Sequence, residues 1–214
     1  MRYNAQIEHS TVRYNAQALG GKILDIFAQH IANHLKSLRQ QRGWSLDKAA
    51  QETGVSKAML GQIERLESSP TVATLWKIAS GFHVSFSSFL EDSPDNAAET
   101  LYRPKPQQAL QHADEHLIIT SLFPFDPELR FECFLIELLP HSEQFSSPHE
   151  PGVIEHIIVV DGDVEILVHQ DWHKLHAGDG LRFDASKPHG YRNTRDKSAF
   201  FHDIIHYPRQ LTPE

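Results

Sequence analysis

From Leu46 to Arg65 the chain carries two short stretches of helical periodicity split by one glycine, and few folds accept that spacing. Leu46, Ala49 and Ala50 recur on one face of the first stretch, and Val55, Leu60 and Ile63 do so through the turn and the second. Ser45 and Ser56 stand where a hydroxyl can accept from an orphan backbone N–H at a helix start. Gly54 falls where a tight turn needs positive φ. The residues left facing outward on the second helix are Lys57, Ala58, Gly61 and Gln62. Such a short polar face suits the major groove of DNA, where Lys bonds guanine O6/N7 and Gln bonds adenine N6/N7.

The flanks extend the pattern. Ile31, Leu35 and Leu38 recur at helical spacing beside Lys36, Arg39 and Arg42, and Gly43 closes that helix. Thr71 caps a helix carrying Val72, Leu75, Ile78 and Ala79, and Ser85 opens a fifth with Phe86, Phe89 and Leu90. Together these residues predict a five-helix, single-core domain over 23–91. Arg39-(x3)-Gly43, Leu46 through Arg65, and Leu75-(x2)-Ile78-Ala79 together resemble the lambda-repressor/Cro-like, or XRE-type, helix-turn-helix family across residues 30–90. That resemblance implies that Lys57, Ala58 and Gln62 read bases and that Ser45, Gln51 and Ser56 lie near phosphates. It also implies a buried Arg39–Glu64 pair tying the first helix to the recognition helix. Two positions depart from the family: Leu46 replaces a polar phosphate contact, and Leu66 replaces a closing glycine.

The net charge of −8 suits a DNA binder only when divided. Residues 22–90 hold eight Lys and Arg against five acids, whereas residues 91–214 hold ten against twenty-two. The acidic C-terminal part should be repelled by phosphate, and so weakly basic a DNA domain calls for a dimer. No apolar run approaches twenty residues, which points to a cytoplasmic protein. Cys133, the one cysteine, excludes an internal disulfide and a Cys-based zinc finger, and in mid-strand it reads as an inert core thiol. Residues 1–22, with Arg-Tyr-Asn-Ala-Gln at both 2–6 and 13–17, read as a flexible leader.

Residues 92–107, acidic and proline-bearing, read as a linker. Beyond it the period becomes two, with strands expected at 117–122, 131–139, 156–160, 164–168, 181–183 and 200–207. Many short strands with regular turns indicate an all-β sandwich or barrel over 108–209. His149-(x5)-Glu155-(x6)-Gly162 and Gly178-Asp179 through Pro188-His189-Gly190 resemble the two motifs of the cupin superfamily, a jelly-roll barrel, across about 110–207. The resemblance implies His149, Glu155 and His189 as metal ligands, with Pro151 where a further histidine usually stands. Two imidazoles and a carboxylate suit zinc, iron, manganese or nickel and leave coordination positions open. His156 should point to the opposite face of its strand, as a reserve ligand. Tyr191, Arg182, Arg192 and His202 are candidates for contacting a ligand in the barrel.

A Cro-like domain joined to a cupin resembles a class of one-component bacterial regulators. The expected function is a non-enzymatic, homodimeric transcriptional regulator that binds a double-stranded DNA operator. Its cupin would sense a small polar, amino-acid-like effector through a divalent metal, with coupling carried by the 92–107 linker and the dimer surface. A cupin metalloenzyme of dioxygenase or isomerase type with an autoregulatory DNA-binding domain is the alternative, and a partner-binding module stays open beside it.

Overall fold

A computed structural model describes residues 16–90, 109–110 and 116–208. The helical part comprises α1 (Ala16–Gln41), α2 (Leu46–Thr53), α3 (Lys57–Glu64) and α4 (Val72–Gly81), followed by a single 3-10 turn, Phe86–Phe89. The expected fifth α-helix is thus one 3-10 turn. Its Ser85 makes no side-chain cap bond, and Phe86 and Phe89 are both already in the core. Helix α1 begins inside the expected leader, so residues 16–22 belong to it; residues 1–15 and the expected linker 92–107 lie outside the described residues.

Local chemistry explains the boundaries. Ser45, Ser56 and Thr71 accept hydrogen bonds from Lys48 N, Met59 N and Thr74 N, each satisfying an orphan donor at a helix start. Gly43 and Gly54 take φ of +63° and +66°, where a side chain would be strained. Leu66 takes φ +61° without glycine's freedom, and its neighbour closes α3 by donating from Glu67 N to Gln62 O. Gly61, expected on the free face, is buried instead: Leu46 and Arg65 cover it. That contact gives Leu46 a structural reason for its departure from a polar residue.

Arg39 meets Glu64 as a bidentate fork, Nε–Oε1 2.6 Å and Nη2–Oε2 2.7 Å, and donates from Nη1 to Trp44 O. The two side chains are 17% and 8% exposed, so the pair is largely shielded from water.

The β part is a two-sheet jelly roll, antiparallel at every pairing. Strands β1 (Ala109–Leu110), β2 (Leu117–Asp126), β3 (Phe131–Leu138), β5 (Ile154–Asp161), β8 (Gly180–Asp184) and β10 (Ala199–His206) form a sheet in the order β1-β2-β3-β10-β5-β8. Strands β4 (Ser142–Ser146), β6 (Asp163–Val168), β7 (Asp171–His176) and β9 (His189–Asn193) form a second, β4-β9-β6-β7. Strict alternation on β10 turns Phe201, Asp203 and Ile205 inward and His202, Ile204 and His206 outward. Cys133 is buried, and burial with the nearby Asp203 charge pushes its thiol up to about 11. No described helix is long and apolar enough to cross a membrane.

Removing one partner of Arg39–Glu64 leaves a poorly solvated charge, so Arg39→Ala and Glu64→Ala should each cost about 3 kcal/mol. A double-mutant cycle followed by chemical denaturation should show that most of this loss is shared; independent, additive losses would show the fork to be structurally idle.

Candidate functional site

The residues named as candidates for DNA contact lie on the surface of the helical domain. Ser45, Gln51, Ser56, Lys57, Ala58 and Gln62 are all exposed, while the opposite face of α3 buries Leu60 and Ile63 against the core. Lys57 Nζ lies 2.8 Å from Asp47 Oδ2, an exposed pair that a phosphate or base edge can compete for.

The second site lies in the barrel. His149 in the loop before β5, Glu155 on β5 and His189 at the start of β9 bring their ligand atoms within 4.8 Å of one another, all three residues buried. His149 Nε2 is 2.8 Å and His189 Nε2 3.3 Å from Glu155 Oε1. Tyr191 donates to Glu155 Oε2 at 2.6 Å, which turns the other carboxylate oxygen toward the histidines. His189 Nδ1 lies 2.8 Å from Lys187 O. A carbonyl only accepts, so Nδ1 carries a proton and a neutral ring would aim its Nε2 lone pair at a carboxylate. Glu155 Oε1 and His189 Nε2 are both buried without a properly aligned hydrogen bond. Two conditions relieve that arrangement: a proton on His189 or a cation among the three groups. The donor set therefore fits a divalent metal.

Burial alone would raise the Glu155 pKa, but the charge of His189 and the contacts of both imidazoles hold it well below the usual carboxylate range. Burial opposes charge on His189 too, and the neighbouring Glu155 carboxylate outweighs it and pushes the ring above its ordinary value. Burial raises Asp203 well above its usual range, with Glu155 and Glu132 adding repulsion. Glu132 is likewise raised by burial, although Ser87, Tyr207 and the Phe86 backbone donate to it.

Three of the four proposed ligand contacts from the barrel lie elsewhere. Arg182 is exposed on β8, beside His156 on the face opposite Glu155. Arg192 donates to Glu165 at 2.9 Å and lies 4.0 Å over the Trp172 ring, on the outer side of its sheet. His202 points outward between Leu135 and Ile158. Its neighbour Asp203 occupies the inward position, with Oδ1 buried and unpartnered. Tyr191 is at the site, as the group orienting Glu155. Sequence reasoning missed Asp203 by taking the wrong phase of β10; the inward Phe201 and Ile205 could have set the phase correctly. It also missed Trp76 of α4, whose ring centroid is 4.3 Å from that of His149. Nothing local in the sequence announces that contact.

The comparisons agree with both halves. Residues 35–89 match the helix-turn-helix family and residues 134–205 the cupin domain family. The chain is 51% identical over 186 residues to the HTH-type transcriptional regulator SutR of Escherichia coli K12, covering 87% of this chain and 99% of that protein. It is 24% identical over 162 residues to the HTH-type transcriptional regulator PuuR of the same organism, covering 75% and 85%. The crystal structure of an HTH_3 family transcriptional regulator from Vibrio cholerae superposes with a TM-score of 0.72 at 46% identity, covering 86% of this chain and 98% of that one. The chain belongs to the family of helix-turn-helix transcriptional regulators that carry a C-terminal cupin domain. Nothing in these likenesses favours the metalloenzyme alternative.

His189, Asp203 and Glu132 all hold protons more readily folded than unfolded, so the stability they confer is lost as pH rises through their folded pKa values. Glu155 works the other way, and its contribution is complete above its ordinary pKa of about 4.5. The metal-free chain should therefore melt at progressively lower temperature as pH rises above about 5. Asp203→Asn should flatten that slope; a melting temperature independent of pH in the parent chain would contradict the assignment.

Proposed function

We propose that this regulator controls transcription in response to a small effector bound in its cupin barrel, through a divalent first-row metal held by His149, Glu155 and His189. The observation that carries the reading is the buried, hydrogen-bond-starved meeting of His189 Nε2 with Glu155 Oε1. A metal there would act as a Lewis acid, with open positions for a polar head group, while Tyr191 fixes the carboxylate and Lys187 O fixes the His189 ring. In this reading α3 enters the major groove, with Lys57, Ala58 and Gln62 against base edges and Ser45, Gln51 and Ser56 near phosphates. A homodimer supplies two such helices to half-sites about 34 Å, or a multiple of that, apart. The outward face of the six-stranded sheet, where Leu135, Ile158 and Ile204 lie on adjacent strands, supports pairing of two barrels.

Metal analysis of the chain purified from its host should find about one divalent ion per chain, and His149→Ala, Glu155→Ala and His189→Ala should each lose it. Operator affinity of the parent should shift when metal is removed by chelation and restored, and the three variants should not respond. Unchanged metal content in all three would refute the site. On the DNA side, Gln62→Ala should cost roughly 1–3 kcal/mol on the cognate operator and almost nothing on random DNA, measured by titration of labelled duplexes. Equal losses on both would show that Gln62 does not read bases.

A further inference from the structure

The metal-ligating cluster has one wall that belongs to the other domain. Trp76 packs on His149 and stacks on Phe86 at 4.3 Å with the rings only 10° from parallel. Phe86 in turn meets Phe134 of β3 edge to face. Behind the indole the barrel interior holds a cavity of about 30 Å³, bounded by Val72, Trp76 and Phe86 on the helical side and by His149, Glu155 and Asp203 on the barrel side. That is room for about two waters. Cavities of about 240 and 320 Å³ lie at the domain junction, and Trp76 and His149 border both of them as well as the inner one. The inner cavity has no room for a metabolite larger than about two waters, and the indole is one of its walls.

The barrel also grips the same helical segment by hydrogen bonds. Glu132 accepts from Phe86 N at 3.2 Å and Ser87 N at 2.9 Å, and from the Tyr207 hydroxyl; Ser87 Oγ accepts from Phe125 N at 2.9 Å. On its far side α4 is locked to the helix-turn-helix. Gly81 packs so closely on α2 that a Cβ there would lie 2.5 Å from Thr53 Cα and 2.7 Å from Glu52 O. Thr53 Oγ1 accepts from Val55 N across the Gly54 turn that leads into α3. A displacement of α4 at the barrel mouth accordingly carries α2 and α3 with it.

We propose that Trp76 is a residue of the effector site, its removable roof: an effector that ligates the triad-held metal displaces the indole and undocks the DNA-binding domain from the barrel. The ligand class is a small molecule with a metal-binding head and an apolar arm that takes the place of the helical aromatics against Phe134 of the barrel. The proposal rests on the metal reading above and replaces the linker as the route of coupling. Binding then shifts the domain arrangement by as much as the ligand prefers the undocked state.

The test uses the full chain loaded with cobalt(II), titrated with imidazole as a probe ligand and read by the visible absorption bands of the metal. Because the seated indole taxes binding in the parent, Trp76→Ala should bind imidazole about tenfold more tightly, with Trp76→Phe in between. In the parent, saturating imidazole should accelerate hydrogen exchange across residues 72–89. Equal imidazole affinities in parent and Trp76→Ala overturn the roof and leave the metal site standing. So does unchanged exchange at 72–89 in the imidazole-saturated parent, a readout that does not depend on how the variant folds. Absence of the cobalt bands in parent and variant alike overturns the metal reading, and the roof with it.

Discussion

A carboxylate with no exposed surface, Glu155, sets the terms for the C-terminal domain. Burying an ionised carboxylate is expensive unless it is paired and hydrogen-bonded. Tyr191 supplies one bond, and His149 and His189 are drawn to the remaining oxygen. Those partners come from β9 and the loop before β5, so one charge ties the two sheets together where the barrel opens. The same crowding leaves donor atoms imperfectly matched, which fits the site to a cation.

Covering such groups takes them out of water, so they need partners inside the protein. The helical domain covers the cluster with two aromatics, Trp76 and Phe86, and the barrel holds that cover with a second buried carboxylate, Glu132. Both carboxylates are fully buried. The barrel meets the helical domain through Trp76 of α4 and the 3-10 turn. The exposed face of α3 and the cover over the cluster thus belong to one small domain, in which α4 and α2 are joined by the close Gly81–Thr53 contact.

The helical half was legible because its signals are local: hydroxyl caps, glycines at positive φ and a 3.6-residue period act within a few residues. Even the Arg39–Glu64 fork, 25 residues apart in sequence, follows from the family pattern of one compact domain. The strand half was legible in outline only. The polar edge strands β4 and β7 carry little alternation, and the sequence suggested His202 where the sheet turns Asp203 inward. Arg192 looked like a carboxylate binder, but cross-strand Glu165 and Trp172 claim it.

By itself the sequence determined the two domain types, the polar free face of α3 and the identity of the three cluster residues, because motif spacing and local periodicity encode each of these. Only the tertiary structure decided which atoms in the cluster lack partners, which side of β10 faces the cavity, and that Trp76 closes it. Those facts depend on where residues tens of positions apart meet in space. No local period records that α4, whose pattern reads as an ordinary core helix, would lay its indole on a histidine of the other domain.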